Sequence, residues 1–167
     1  MSVSMVSHHS TLARKLLAYC DERFPLLAYS VLVVCFFGSA QLVFLESSPK
    51  ASVWLGALVM WGVFFHLRIF DEHKDFHQDR FTHPNRILSR GVLSLSTLGR
   101  VGGVVILIQA GLSMMLGITA FLCWGAAVLF SLFMRFEFGL GEWLEQRMLL
   151  YAITHNPIVA ALGVFAW

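Results

Sequence analysis

V-G-G-V-V-I-L-I-Q-A-G-L-S-M-M-L-G-I-T-A-F-L-C-W-G-A-A-V-L-F-S-L-F-M, the stretch from Val101 to Met134, contains no charged residue. A helix needs about 20 apolar residues to cross the hydrocarbon core of a bilayer. The stretch is too long for one such helix, and its first residues leave no polar face of the kind that a soluble helix shows. We therefore predict two membrane-spanning helices, over residues 101–116 and 118–134, joined by a tight turn near Gly117.

Three further apolar runs extend this pattern along the chain. They cover residues 24–45, 51–70 and 148–167. The first run is uncharged throughout, and the second is interrupted only by His66 and Arg68 near its end. We therefore predict an all-α fold, a multi-pass bundle of about five transmembrane helices that forms one membrane domain over residues 1–167.

Composition excludes an ordinary soluble domain. Hydrophobic residues make up 57% of the chain and charged residues only 13%, whereas a soluble domain has about 25% charged residues. The three cysteines, Cys20, Cys35 and Cys123, have no metal-ligand spacing and predict no disulfide framework. The net charge of +2 says little by itself, and we expect no nucleic-acid partner.

Lysine and arginine residues alternate between the two ends of the predicted helices. They precede the first run and fill the long connection after the second, but the turn near Gly117 has none. Cytoplasmic connections of membrane proteins are enriched in such residues. We therefore expect the N-terminal segment 1–23, with a short interfacial helix over residues 12–22, and the segment 71–100 in the cytoplasm, in a cell (inner) membrane. The first hairpin is expected to turn at residues 46–50.

An acidic segment follows the second apolar run: I-F-D-E-H-K-D-F-H-Q-D-R, residues 69–80. If the helix continues at about 100° per residue, four carboxylates share an arc of about 100°, those of Asp71, Glu72, Asp75 and Asp79. Like charges at i, i+4 repel on a helix, so this arc needs compensation. Carboxylates bind Mg²⁺ together with water and phosphate. The alternative is a solvated helix end on which Lys74 and Arg80 balance the acids.

Together with the residues that follow it, this segment resembles the first half of the UbiA-type intramembrane prenyltransferases. The first signature of that family, N-D-x-x-D-x-x-x-D at the cytoplasmic end of the second span, is matched by Asp71, Glu72, Asp75 and Asp79. Its R-P-x-x-x-G pattern with a following small polar residue is matched by Arg86, Gly91 and Ser94. The departures are Asp for Asn at position 71, Glu for Asp at 72 and Ile for Pro at 87, and the first two keep oxygen ligands.

The resemblance implies a Mg²⁺-dependent transfer of a polyprenyl group from a polyprenyl diphosphate to an aromatic or other lipid-pathway acceptor. It implies catalytic roles for Asp71, Asp75 and Asp79, which with Glu72 would hold the metal. The diphosphate would be bound by Lys74, Arg80, Arg86 and Arg90. Membrane lipid would surround the helices, and the cation would stabilise the leaving group.

The family has about nine spans and a second aspartate-rich motif in a later cytoplasmic loop. The corresponding loop of this chain offers Glu137, Glu142 and Glu145 but no D-x-x-x-D. We therefore expect half of the family fold, with little or no transfer activity without a second half-chain or a homo-oligomer. A non-enzymatic assembly partner or remnant is the alternative function.

Two further interpretations stay open. His73 and His77 form H-x-x-x-H close to His66 and His83, a pattern found in metal-dependent membrane oxidoreductases. Polar residues inside the apolar runs, above all Gln109 and His155, either line a cavity or form hydrogen bonds between helices.

Overall fold

A computed structural model describes residues 7–44 and 51–166 of the chain. All regular secondary structure in these residues is helical, which confirms the all-α prediction. The helices are α1 (Leu12–Arg23), α2 (Leu26–Phe44), α3 (Ala51–Thr82), α4 (Leu95–Leu116), α5 (Ile118–Arg135), α6 (Gly141–Glu145), α7 (Met148–His155) and α8 (Pro157–Ala166), with a 3-10 turn at Glu137–Gly139.

Four helical stretches are long and apolar enough to cross a membrane. They are Ser52–Thr82, Leu95–Leu116, Ile118–Arg135 and Met148–Phe165, the last formed by α7 and α8 together. The chain therefore has the features of a multi-pass membrane protein. The remaining predicted span, residues 24–45, falls on α2, of which the part Leu26–Ser39 is apolar but shorter than these four. That span stays a prediction, and the predicted turn at residues 46–50 lies outside the described residues.

The central helix is α3, which packs against α2, α4, α5 and α8. It has 32 residues and, at about 1.5 Å per residue, is about 48 Å long. The hydrocarbon core of a bilayer is about 30 Å thick, so the polar end of α3 extends beyond it. This polar extension, residues 71–82, carries the acidic segment.

Gly117 and Pro157 lie where one helix ends and the next begins. α4 ends at Leu116 and α5 begins at Ile118, so the chain reverses at Gly117, where the sequence predicts a turn. Gly117 has φ 117° and ψ 166°, a conformation that side chains other than hydrogen rarely tolerate. Pro157 separates α7 from α8, because proline has no N–H to continue the first helix.

Two apolar clusters hold the helices together. One lies at the polar end, where Tyr19, Phe24 and Ile87 from three different segments pack on the side of α3. The other lies deeper among the apolar helices, where Met60 packs with residues such as Trp124. The first cluster docks α1 and the 83–94 connection against α3, and it thereby fixes the surroundings of the acidic segment.

A chain of buried hydrogen bonds joins α3, α4 and α5 among the apolar helices. Ser131 donates to the carbonyl of Val128 at 2.6 Å, so its hydroxyl oxygen accepts from Nε2 of His66 at 3.2 Å. Nδ1 of His66 accepts from Nε2 of Gln109 at 3.2 Å. Oε1 of Gln109 in turn accepts from the indole N–H of Trp124 at 3.0 Å. The side-chain amide of Gln109 therefore donates one hydrogen bond and accepts one between helices, in the manner of interhelical hydrogen bonds in membrane proteins.

Candidate functional site

Four elements surround the polar extension of α3. The end of α1 contributes Arg23, the 83–94 connection contributes Arg86, and the segment after α5 contributes Glu137. Tyr151 of α7 reaches the same extension through Lys74. Residues from distant parts of the chain therefore contact the acidic segment, although Asp71, His77 and Arg80 stay exposed.

Arg23 joins two of the predicted metal ligands. Its Nε donates to Oε1 of Glu72 at 2.6 Å, and its Nη2 lies 3.6 Å from Oδ2 of Asp79. Glu72 is only 3% exposed, whereas Arg23 and Asp79 are each 15% exposed. The same Oε1 of Glu72 also accepts from Nη2 of Arg68 at 2.9 Å. A buried carboxylate is stable only with such partners, because burial removes its hydration.

The 83–94 connection supplies a second set of contacts. Arg86 donates to Asp79, and His83 lies 3.4 Å from the other oxygen of that carboxylate. Gly91 has φ 70°, which allows the chain to turn back there. Ser94 then caps α4 by accepting from the N–H of Thr97 at 3.1 Å. Three residues that match the R-P-x-x-x-G pattern and its following polar residue thus have structural roles here. Arg86 forms an ion pair, Gly91 allows a turn and Ser94 caps α4.

Glu22 ties this connection to α1. Its two carboxylate oxygens accept from the backbone N–H of Ile87 at 3.3 and 3.2 Å. Burial raises the pKa of Glu22 above its ordinary value, although the Ile87 N–H and Arg23 act in the opposite direction. For Arg23, burial by itself would lower the pKa, but the hydrogen bond that it donates to Glu72 and the nearby carboxylates raise it above the ordinary value. Like any arginine in a protein, Arg23 is a cation.

Lys74 connects the extension to the later part of the chain. Its Nζ lies 2.7 Å from Oε1 of Glu137 and donates to the hydroxyl of Tyr151. Glu137 and Phe138 both have positive φ, 49° and 56°, a region that non-glycine residues adopt at a cost. The segment after α5 therefore reaches the acidic segment through Glu137. The side chains of Glu142 and Glu145 lie outside the description.

The remaining predicted site residues are less enclosed. Asp71 is 57% exposed and lies 3.8 Å from Arg68, and Asp75 is half-buried on the same helix. Arg80 is exposed, with its guanidinium 5.9 Å from the ring centroid of Phe76. Arg90 is also exposed, and its N–H donates to the carbonyl of Arg86. The acidic residues thus share one end of the bundle with the predicted diphosphate-binding residues.

The donor set has the chemistry that Mg²⁺ prefers, because hard divalent cations take carboxylate oxygens. Among the described residues, however, no three His, Cys, Asp or Glu side chains are grouped closely enough to hold a metal ion. Glu72 and Asp79 are directed at arginine side chains instead. The Mg²⁺ site therefore stays a prediction, and the compensation that the acidic arc requires comes here from arginine and lysine.

The four clustered histidines of the sequence are directed to different places. His66 belongs to the hydrogen-bond chain among α3, α4 and α5. His73 bonds to the carbonyl of Ile69 and its ring lies against Gly99 of α4, whereas His77 is exposed. His83 faces Asp79. Within the described part of the chain these histidines do not form the ligand set of an oxidoreductase.

Arg23, Arg68 and Glu22 are the residues that the sequence did not single out for this site. The Lys/Arg alternation places Arg23 on the same side of the membrane as the acidic segment, and this was the available signal. Its pairing with Glu72, 49 positions away, depends on how α1 docks.

Comparisons with known proteins give no relative: no family model matches the chain, no curated protein matches its sequence, and no solved structure matches its fold.

Proposed function

We propose that the chain is a prenyltransferase-like membrane protein, which binds a polyprenyl diphosphate at the polar end of α3 and takes part in Mg²⁺-dependent transfer of the polyprenyl group to an aromatic or other lipid-pathway acceptor. One observation carries the proposal. Carboxylates of α3 meet basic side chains from α1 and the 83–94 connection at the end of an apolar helix that is long enough to cross a membrane.

The substrate class follows from this combination of a charged end and apolar flanks. A polyprenyl diphosphate has a headgroup with several negative charges and a tail as apolar as a lipid chain. Arg86 and Lys74 lie where they would meet the headgroup, with Arg80 and Arg90 more exposed beside them. The tail would lie along the apolar helices. Guanidinium groups are suited to phosphate because they donate in a planar fork.

Asp71, Glu72, Asp75 and Asp79 would hold the Mg²⁺. When bound, the cation supplies charge stabilisation to the departing diphosphate. The residues of this chain would orient the headgroup and hold it at the membrane surface. We also propose that Glu137, in the segment after α5, helps to position Lys74 for the headgroup, since the two side chains already form an ion pair.

The finer topology belongs to the same proposal. We place residues 1–23 and the polar extension of α3 in the cytoplasm of a cell (inner) membrane, because the Lys/Arg-rich segments all fall on that side. α2 would then be the first of five spans. The chain would supply the part of the site that the first half of the family fold supplies, and the second aspartate-rich motif would come from another segment or chain.

A non-catalytic assembly role is the second candidate, and the low burial of the spans is compatible with it. Only 22% of the apolar window of α4, 17% of that of α5 and 11% of that of the last span is buried. Exposed apolar area of this extent suits lipid, but it also suits a second half-chain or another copy of this chain.

A transfer assay separates the two candidates. Membranes that contain the chain are incubated with a labelled polyprenyl diphosphate and a panel of aromatic acceptors, with and without a UbiA-type C-terminal half that carries the second aspartate-rich motif. We expect little product from the chain alone, Mg²⁺-dependent product with the second half, and no product after Asp75→Ala. Product that persists in the Asp75→Ala variant would contradict the proposed role of this segment. Product that requires the chain but persists in the Asp75→Ala variant would favour the assembly role.

A further inference from the structure

The 136–147 connection, which lies between α5 and α7, joins two stretches that are long and apolar enough to cross a membrane. These stretches are Ile118–Arg135 and Met148–Phe165, so the two ends of the connection lie at one membrane surface. The contact between Glu137 and Lys74 of α3 shows which surface this is. The connection belongs to the polar end of the bundle.

The backbone of this connection reverses sharply at its start. Glu137, Phe138 and Gly139 have φ values of 49°, 56° and 71°, and residues other than glycine adopt such values at a cost. The reversal turns two side chains toward the bundle. Glu137 is only 12% exposed, and the ring of Phe138 lies 5.7 Å from the rings of both Phe130 and His155. The inward face of the connection is thereby fixed.

The outward face of the 136–147 connection is apolar. Phe136, Leu140 and Trp143 are 68%, 53% and 47% exposed, and all three line an open cavity of about 800 Å³. The apolar surface continues into Met148, which is 85% exposed. Water-facing connections normally expose polar side chains and turn apolar ones inward. Here the ionised side chain of Glu137 is turned inward and the apolar side chains are exposed.

The 83–94 connection at the same end of the bundle has the opposite arrangement. Its buried side chains are all apolar: Ile87, Leu88, Val92 and Leu93. Polar residues of this connection, such as His83, Asn85 and Ser94, are exposed. Two connections at one end of the same bundle therefore suit different surroundings, water for 83–94 and the apolar edge of a bilayer for 136–147.

Two arginines flank the apolar surface. The guanidinium of Arg135 lies 5.0 Å from the ring centroid of Phe70 and 5.6 Å from that of Phe136. The guanidinium of Arg147 lies 4.3 Å from the ring centroid of Trp143. Neither arginine forms an ion pair with a carboxylate among the described residues. A guanidinium held over a ring keeps N–H donors in its own plane, and these suit the oxygens of a phosphate group.

We propose that the 136–147 connection anchors this end of the bundle in the interface of a phospholipid bilayer. Phe136, Leu140 and Trp143 lie among the lipid chains just below the headgroups, where aromatic side chains are enriched. Arg135 and Arg147 bind lipid phosphate groups. The segment 135–147 has three glutamates against its two arginines, so the phosphate of a zwitterionic lipid is sufficient and an acidic headgroup is not required. The inference does not depend on the proposed function.

The test measures whether lipid or water reaches position 140. Leu140→Cys and, as a matched control in the other connection, Asn85→Cys are made in a cysteine-free full chain. Each is labelled with a small fluorophore and reconstituted in phosphatidylcholine vesicles. One quencher is a phosphatidylcholine that carries a nitroxide on its acyl chain close to the headgroup. The other is iodide, present on both sides of the vesicle membrane.

We expect the nitroxide lipid to quench the label at position 140 more strongly than iodide does, and the reverse at position 85. Replacing both arginines, Arg135→Gln with Arg147→Gln, should shift position 140 toward iodide quenching and leave position 85 unchanged. Arg100→Gln, at an exposed position of α4, is the control and should change neither. If the double variant does not fold, Arg147→Gln alone decides, since this side chain is exposed.

Three results would overturn the proposal. Iodide quenching as strong at position 140 as at position 85 would show that the 136–147 connection faces water. Protection of position 140 from both quenchers would show that protein covers it, for example a second copy of this chain. Unchanged quenching at position 140 in the arginine variants would overturn the contact with lipid phosphate.

Discussion

The Nε atom of Arg23 lies 2.6 Å from Oε1 of Glu72, and this contact joins the end of the first helix to the polar extension of the third. The carboxylate of Glu72 is almost inaccessible to solvent. Removing one partner of a buried pair costs more than an exposed pair is worth, because the remaining charge keeps its desolvation penalty. The docking of α1 and the properties of the acidic segment are therefore coupled.

Stability should report this coupling. We expect Arg23→Ala to lower the free energy of unfolding by about 1–3 kcal/mol, and not more, since Arg68 still pairs with Glu72. Unfolding by sodium dodecyl sulfate in mixed micelles measures it. Arg14→Ala on the exposed side of α1 is the control and should have little effect. Equal stability of the two variants would show that Arg23 does not hold α1 on α3.

Replacing Gln109 tests the hydrogen-bond chain between the helices. Gln109→Leu removes the partner of one ring nitrogen of His66 and of the indole N–H of Trp124. Interhelical hydrogen bonds in membrane proteins contribute about 0.6 kcal/mol on average, and two buried groups lose their partner here. We expect a loss of about 1–3 kcal/mol in the same unfolding measurement. Gln78→Leu, at an exposed position of α3, should change the stability far less.

The reversal at Gly117 allows a matched pair of glycine substitutions. Gly117→Ala places a side chain at φ 117° and should destabilise the chain by about 1–3 kcal/mol. Gly125→Ala lies within α5, where an added Cβ has no atom within 4 Å. Alanine is the better helix former, so this variant should be neutral or more stable. The prediction is wrong if the two substitutions change the unfolding midpoint in the same direction by similar amounts.

The topology can be tested by labelling single cysteines in a cysteine-free chain. A cysteine at His77, exposed on the polar extension of α3, should react with a membrane-impermeant maleimide only after the cytoplasmic side is opened. A cysteine at Ile118, 62% exposed next to the Gly117 turn, should react from the outside of intact cells. The reversed labelling pattern would invert the proposed orientation.

Local sequence patterns predicted the helices well, because apolar runs and a glycine between them determine spans and turns without reference to distant residues. The continuation of α3 through residues 71–82 was predictable for the same reason. The partners of those carboxylates were not. Glu72 pairs with a residue 49 positions away, and Lys74 with Glu137. Such pairings depend on how helices pack, which a single sequence does not encode locally.

Binding of a polyprenyl diphosphate by the purified chain tests the central claim most directly. The full chain in lipid nanodiscs is titrated with a fluorescent polyprenyl diphosphate, with Mg²⁺ and with a chelator. An Asp75→Asn, Asp79→Asn double variant is compared with Asp21→Asn on the exposed surface of α1. We predict Mg²⁺-dependent binding that is retained in Asp21→Asn and lost in the double variant. Binding of equal strength with the chelator, or in the double variant, would contradict the assignment of the polar end of α3 as a Mg²⁺–diphosphate site.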